Sequence, residues 1–490
     1  MKKKYLILLV LVAFFTACTD KFEEFNTDIK KPAIVGGEAL FSNAQHQLAR
    51  YLSSTNVNRN IWKMMAQYWT EVTYIDEANY DLTNRGIPEE IFRIYYTGND
   101  ATDEGGFLKD FKEAATLIEA TTPTSTVGET EKANKLAIVE LLTVYAFQNL
   151  VDIFGNVPYT EALDVDNIAP KYDDAATIYQ SLITRVNDAL TKLNVSEGSF
   201  GSADLIYGGD VALWKKFGNS LKLKLGITLA DADGTLAKTT VESAVSGGVF
   251  TSNDENALFP FMTATHTNPM YEDIIQSGRN DFVPANTIVD IMNTRSDPRR
   301  PFFFTKFGEI YLGGSYGYES PFSLYSHIPA AISAPDFPGF LLTYDEVLFY
   351  RAEAAARGFS VGGTADALYN EAITASILSW GGTEADATTY LAQPSVAYAT
   401  ATGTWQQKIG TQAWIAFYTR GLEGYTEWRR MDYPIFNVGS LISTYDEIPV
   451  RFTYPVNEQT LNQANYTSAS SAIGGDLIST RIFWDKFGSE

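Results

Sequence analysis

The chain has 490 residues, 45% of them hydrophobic, with 59 acidic and 37 basic side chains and a formal net charge of −22. That length and apolar content support a sizeable buried core, whereas the acidic excess excludes a nucleic-acid partner, because phosphate binding needs a net basic face. A single cysteine excludes intrachain disulfides and a cysteine-based zinc site.

At the N-terminus Lys2, Lys3 and Lys4 precede an apolar run from Tyr5 to Phe15, shorter than the roughly 20 residues a membrane-spanning helix needs. The run ends in "FFTAC", which places Cys18 behind Thr16 and Ala17, where a lipoprotein signal peptidase cuts; Phe15 stands where Leu is usual. We expect residues 1–17 to be a lipoprotein signal peptide, Cys18 to be the lipidated residue, and the polar, charge-rich stretch 18–35 to be a tether. Each buried acyl CH₂ contributes about 0.8 kcal/mol, so two or three chains hold a protein on a membrane without spanning it.

Residues 36–490 read as one mainly α domain. From Glu131 to about Val151 the positions Leu136, Val139, Leu142, Ala146 and Leu150 recur at helical spacing, and no charge lies between Leu141 and Val151. The helix runs into "NLVDIFGNVPY", where Asp152, Gly155 and Asn156 raise the question of a reactive loop. The residue types favour scaffold: Gly155 and Asn156 suit left-handed helix termination, and Pro158 blocks further helix. Asp173 is the expected cap of a second helix with an Ile178, Leu182, Val186, Leu190 stripe.

Between about Phe250 and Pro338 the pattern gives way to Gly, Pro, Asn and aromatic residues without a sustained period, the kind of irregular segment on which binding sites are built. Its stretch Phe302 to Tyr325 holds nine aromatics and reads either as a buried β-hairpin or as a ligand platform. Further on, "TYDEVLFYRAEAAARG" starts at a Thr343/Glu346 capping box and ends at Gly358. A partner helix, "TADALYNEAITASILSW", follows. Ala354, Ala355 and Ala372 permit close contact, so the unit resembles a tetratricopeptide-type pair, without a clean repeat of about 34 residues.

Catalytic readings fail on context. "GGSYG", Gly313 to Gly317, has the G-x-S-x-G pattern of a nucleophile elbow, but an elbow leads into a helix and this one leads towards Pro321. His46, His266 and His327 are isolated in sequence and lack metal-ligand spacing, so neither a catalytic residue nor a metal or other cofactor is assigned. Trp214, Asn219, Arg429 and Arg430, on helices rich in apolar positions, read as packing and hydrogen-bond anchors.

"FQNLVDIFGNVPYTEAL", "GGDVALWKKFGNSLKLKLG", "TYDEVLFYRAEAAARG", "WIAFYTRGLEGYTEWRRMDYP" and "IPVRFTYPVNEQTLNQANY" occur in this order. With the lipoprotein signal and "FEEFNTD", they make the chain resemble the SusD/RagB-like outer-membrane lipoproteins, in particular the starch-binding, outer-membrane-associated branch. The resemblance implies a helical SusD-like fold with tetratricopeptide-like pairs, exposure on the surface of a Bacteroidota-type bacterium, and a SusC-like TonB-dependent transporter as partner. It also implies capture of oligosaccharides without catalysis, with oligopeptide capture, as in RagB-like members, as the alternative; a surface hydrolase is a third reading from a different class, the weakest because the sequence has no recognisable catalytic constellation. Aromatic faces suit pyranose C–H groups, so the expected ligand contacts are Tyr311, Tyr316 and Tyr318, opposed by Trp69, Tyr74 and Tyr80 of "YWTEVTYIDEANY".

Overall fold

The computed structural model describes residues 35–98, 105–439 and 448–486; the expected signal peptide, the expected lipidation site at Cys18 and nearly all of the expected tether lie outside the described residues. From Gly37 onward the chain forms one compact unit. Its helices are α1 (Gly37–Ser53), α2 (Trp62–Met65), α3 (Ile87–Tyr96), α4 (Phe107–Glu119), α5 (Thr126–Phe154), α6 (Ala175–Lys192), α7 (Val211–Thr228), α8 (Gly234–Gly247), α9 (Asn286–Thr294), α10 (Arg300–Phe303), α11 (Tyr344–Ala356), α12 (Ala365–Ser379), α13 (Glu384–Leu391), α14 (Trp405–Ala416), α15 (Gly421–Met431), α16 (Glu458–Leu461) and α17 (Gln463–Ala472). Chain neighbours pack as pairs, α5 on α6, α7 on α8, α11 on α12 and α14 on α15, while α1 packs on α4. The helical-pair reading of the sequence therefore stands.

The pairs follow from local chemistry. Ser125 starts α5 by accepting the Gly128 N–H at 3.1 Å. The helix then runs to Phe154, and every residue from Val144 onward is buried. It is long and apolar enough to cross a bilayer, but most of that apolar window is covered by the rest of the protein. On α12 Thr364 accepts from Ala367, and Ala354 and Ala372 are fully buried where α11 and α12 meet. Gly358 ends α11 as expected: its φ is +82°, and the following Phe359 N–H returns to Ala354 O at 2.8 Å.

"NLVDIFGNVPY" is scaffold. Asp152 is buried and accepts from Tyr179 Oη and, at 2.9 Å, from Trp484 Nε1, while Arg429 donates to its carbonyl at 2.6 Å. Gly155 has positive φ but leaves the left-handed helical basin (φ +80°, ψ −116°). Asn156 serves the next helix, its Oδ1 accepting the Ala175 N–H at 2.9 Å. The cap of α6 is Asp174, one residue after the expected Asp173. Asp173 is drawn away by pairing with Val157 and by accepting the Thr160 N–H at 2.7 Å.

The 250–338 segment is less irregular than its composition suggests. It contains α9, α10, a π-helix at Tyr271–Gln276, and strands Ala257–Phe259 and Phe282–Pro284, which pair antiparallel with Gly339–Leu342 and Trp69–Glu71. These strands are only three residues long, too short for an alternating pattern to register. The aromatic stretch 302–325 carries one isolated antiparallel bridge, Phe307 to Ile310, in place of a hairpin.

The expected Thr343/Glu346 capping box is absent. Thr343 Oγ1 donates to Asp345 Oδ1, and Glu346 points into a buried ion network. Glu346, Tyr350, Glu353 and Arg357 form one stripe of α11 at helical spacing, and Arg420, Glu423, Glu427 and Arg430 form another along the start and length of α15. Arg430 Nη2 lies 2.6 Å from Glu353 Oε2, and its Nη1 lies 2.8 Å from Glu427 Oε2. Arg357 bridges Glu353 (2.9 Å) to Asp231 (2.6 Å). Arg420 pairs with Glu346, whose other oxygen meets Lys224 Nζ at 3.1 Å and Tyr350 Oη at 2.8 Å. Burial alone would raise the Glu346 pKa; the Arg420 and Lys224 cations hold it below the usual carboxylate value.

Arg430→Met leaves Glu353 and Glu427 buried without their shared cation. We expect it to lower unfolding free energy by about 3–5 kcal/mol, measured by chemical denaturation. Lys238→Met, which breaks the exposed i,i+4 pair with Glu242, serves as the control, with an expected loss of at most about 0.5 kcal/mol.

Candidate functional site

Three segments of the chain meet around β1 (Trp69–Glu71): the turn that follows it, the Gly313–Ser320 loop and the 434–439 loop. Strand β1 pairs antiparallel with Phe282–Pro284, and the pairing continues beyond the strand through Val72 N–H to Asp281 O at 2.9 Å. On its other side Gly314 exchanges backbone hydrogen bonds with Pro284 and Asn286, both at 2.8 Å, which fixes the start of the Gly313–Ser320 loop. That loop turns at Ser315–Tyr318, closed by Tyr318 N–H to Ser315 O at 3.0 Å. Its third residue, Gly317, has φ +74° and lies against the backbone of Gly439, where a Cβ would overlap.

Side-chain amides join the three segments. Asn79 Nδ2 donates to Ile75 O and Gly317 O, both at 2.8 Å, so one amide ties the backbone next to Tyr74 to the backbone next to Tyr318. Gln67 accepts the Asn437 N–H at 2.9 Å and the Thr287 hydroxyl at 2.7 Å, and donates to Asn437 O at 2.8 Å and Tyr80 Oη at 2.9 Å. Asn437 Nδ2 in turn reaches Thr287 Oγ1 at 2.7 Å and Asn286 Oδ1 at 3.2 Å, and the latter atom accepts the Tyr316 N–H at 3.0 Å. A network of this kind, centred on the buried Gln67 and Asn79 amides, holds loops rigidly. Above it stand Tyr74 (73% exposed), Tyr318 (50%) and Val438 (62%).

The six aromatics expected to contact a ligand separate by burial. Tyr74 and Tyr318 are exposed. Trp69 (0% exposed), Tyr80 (1%) and Tyr316 (2%) are core residues, which corrects their placement on a ligand wall. Their polar atoms are used internally: Trp69 Nε1 donates to Tyr418 Oη at 2.9 Å, Tyr80 Oη accepts from Gln67, and Tyr316 Oη donates to Met64 O at 2.9 Å. Strand β1 is buried at all three positions, so Trp69 has no outward face; in the loop the reason is turn direction, since Tyr316 precedes the positive-φ Gly317 and points inward, whereas Tyr318 follows it and points out. Tyr311 is half-buried, with the Arg300 guanidinium 5.4 Å from its ring centroid. Reading aromatics alone missed Gln67, Asn79, Asn437 and Val438; "ANY" and "FNVG" carried the signal as Asn beside an aromatic or Gly in turn-forming segments.

The catalytic alternatives gain nothing from the geometry. "GGSYG" forms the Ser315–Tyr318 turn and leads into a 3₁₀ turn at Phe322–Leu324, without the strand, sharp turn and helix of an elbow. His327 stacks on Phe322 and its Nε2 sits 2.8 Å from Phe322 O. His46 and His266, isolated in sequence, have ring centroids 4.8 Å apart. Among the described residues no group of three or more His, Cys, Asp or Glu side chains is placed to hold a metal ion. Trp214, Asn219, Arg429 and Arg430 are buried anchors; Trp214 Nε1 donates to Asp204 at 2.6 Å, and Asn219 Nδ2 donates to the carbonyls of Lys215 and Gly247, each at 3.0 Å.

Residues 28–455 match a family of SusD-like proteins described as starch-binding and associating with the outer membrane. Among solved structures the chain is similar to a chitin-binding protein, with 25% identity and a TM-score of 0.78 over 92% of this chain and all of that one. A chitin-binding SusD homologue from Flavobacterium johnsoniae matches at 24% identity and TM-score 0.73 over 92% of this chain and 98% of its own. A SusD homologue from Bacteroides thetaiotaomicron matches at 23% and 0.76, over 93% of this chain and the whole of its own. No curated protein matches the chain. With 28–455 covered by one family and a helical architecture shared over nine-tenths of the chain, this protein belongs to the SusD-like family of starch-binding, outer-membrane-associated proteins.

Proposed function

We propose that this protein captures oligosaccharides at the cell surface, anchored by lipid at Cys18, and delivers them to a SusC-like TonB-dependent transporter. The observation that carries the reading is the pair of exposed tyrosines, Tyr74 and Tyr318, on backbones tied together by the Asn79 amide. Two flat rings on a rigid base offer faces to pyranose C–H groups at little entropic cost, and neighbouring backbone and amide groups meet the hydroxyls. The match to a chitin-binding protein over the whole of that chain supports a glycan in particular, and makes β-linked N-acetylglucosamine oligomers and α-glucans the first ligands to try. Capture followed by release needs only modest affinity. A millimolar site is worth about −4 kcal/mol, and a membrane tether raises the local concentration that such a site experiences.

Calorimetric titration of the chain from Thr19 to Glu490 with chito- and malto-oligosaccharides, and with a peptide mixture, tests the reading. We expect binding of one glycan class without shortening of the ligand. Tyr74→Ala and Tyr318→Ala should each weaken it by about 0.5–1.5 kcal/mol, roughly 2- to 12-fold, with unchanged unfolding temperature. Unaltered affinity in the double variant would remove this surface from consideration. Binding of peptides alone would identify the oligopeptide alternative, and shortened glycan would identify a hydrolase.

Asn79→Ala removes the amide that links the two walls without touching either ring. Because it leaves the Gly317 carbonyl without that donor in a buried site, it should cost about 1–3 kcal/mol of stability, read by thermal unfolding, and should weaken the same glycan.

A further inference from the structure

Two buried acids flank the base of the loop that carries Tyr74. Glu71 is the last residue of β1 and Glu77 opens the 3₁₀ turn Glu77–Asn79, so the intervening chain, which includes Tyr74, loops out between them. Both side chains are almost wholly removed from water, and the N–H that Glu71 Oε2 accepts at 3.0 Å belongs to Ala78, directly after Glu77, so the two carboxyl groups are brought together at the start of the turn. Two ionised carboxylates in that position would repel in a poorly screened environment, so a dyad of this kind holds one proton unless cations neutralise both members. Among the described residues only one is neutralised: Arg85 Nε pairs with Glu77 Oε1. The nearby Asp76 adds a further negative charge. Glu77 Oε2 is buried and accepts from no ordinary donor among the described residues. Glu71 Oε2 accepts the Ala78 N–H at 3.0 Å, which folds the turn back over the strand end.

We propose that Glu71 remains protonated and donates to the Glu77 carboxylate, so that this carboxyl pair clamps both ends of the Tyr74 loop and positions Tyr74 as a wall of the ligand site. The proton is the donor that Glu77 Oε2 otherwise lacks, and Arg85 places the negative charge on Glu77. Burial first, and then the Glu77 carboxylate, push the Glu71 carboxyl well above the usual range. Glu71 and Glu77 are positioning residues, since neither presents an atom to solvent at the Tyr74 face. For the ligand, the inference rests on the capture reading above; for the loop, it stands on the contacts alone.

The experiment compares Glu71→Gln with Glu71→Ala in the chain from Thr19 to Glu490, using amide hydrogen exchange across 72–79, infrared spectroscopy and glycan titration. Glutamine has an N–H in place of the acid proton and keeps an acceptor for Ala78. We therefore expect E71Q to retain the exchange protection of Ala78 and, within about twofold, the glycan affinity. E71A should speed exchange of this segment by about tenfold or more, the equivalent of one lost buried hydrogen bond. At neutral pH the wild-type infrared spectrum should contain a protonated-carboxyl stretch that is missing from E71Q, a difference that a merely space-filling role for Glu71 does not produce. An identical carboxyl region in the two proteins, or E71Q exchanging as fast as E71A, overturns the proposal. If E71A fails to fold, the E71Q infrared difference still decides. Absence of glycan binding to the wild-type protein, with the E71Q protection and infrared difference intact, would refute the capture reading and leave the carboxyl clamp standing.

Discussion

The frame of this protein depends on charges that cannot be separated once they are buried. Along α11 and α15, positions that would normally hold Leu or Ile hold Glu346, Glu353, Arg357, Glu423, Glu427 and Arg430, joined to Lys224 of α7 and Arg420. An isolated charge in such an interior costs several kcal/mol, so every member needs its opposite within reach, and the helices can satisfy that demand in only one register. Tyr145 extends the demand to α5: its Oη lies 3.0 Å from both Glu423 Oε1 and Leu341 O. Apolar packing drives collapse, but it tolerates sliding; a network of paired charges with fixed hydrogen-bond directions does not.

That register is transmitted to the candidate site through α15. One side of this helix carries the charges, and another carries Gly421 and Gly424, which leave room for the backbone of Trp62–Lys63 and the ring of Tyr68; a Cβ at either glycine would overlap them. Tyr68 Oη donates to Trp414 O at 2.5 Å, and Trp414 Nε1 donates to Ala66 O at 2.9 Å, so the segment leading into β1 is held by α14 as well. The loops bearing Tyr74 and Tyr318 therefore follow a segment held tightly by α14 and α15. This suits a receptor that recognises shape and stacking, because ordering the rings before the ligand arrives removes a cost from binding.

The sequence made the helices legible and left the polar interior hidden, for one physical reason. Periodic apolar residues announce α5 and α6, and Gly358 and Thr364 mark real helix ends. In "TYDEVLFYRAEAAARG" the same method assigned Glu346 to a capping box, because a charge near a helix start is ordinarily solvated; its actual partners, Arg420 and Lys224, are 74 and 122 positions distant. Asp173 yielded the cap of α6 to Asp174 for the same reason, since its competing partners in the Val157–Thr160 turn lie outside any local window. At the candidate site, aromatic density pointed to two segments that the fold brings together but could not tell inward from outward. Tyr316 and Tyr318 differ only by their sides of Gly317, and that distinction requires the turn geometry.

Backbone strain is concentrated beneath the surface above β1. Eight non-glycine residues among the described ones have positive φ, and three of them, Gln67 (53°), Tyr74 (57°) and Tyr80 (64°), fall within one short segment. For a side chain with a Cβ this conformation costs on the order of 1–3 kcal/mol, and it persists only where surrounding contacts over-determine it. Those contacts exist for Gln67 and Tyr80, which bond to each other and, through Gln67, to Asn437 and Thr287. At Tyr74 they are made by the rest of its loop, through the Asn79 amide on Ile75 O and the Ala78 N–H on Glu71, while the ring itself stands in solvent at 73% exposure. The contacts that hold this backbone therefore also hold the ring outward, the geometry that capture by stacking requires.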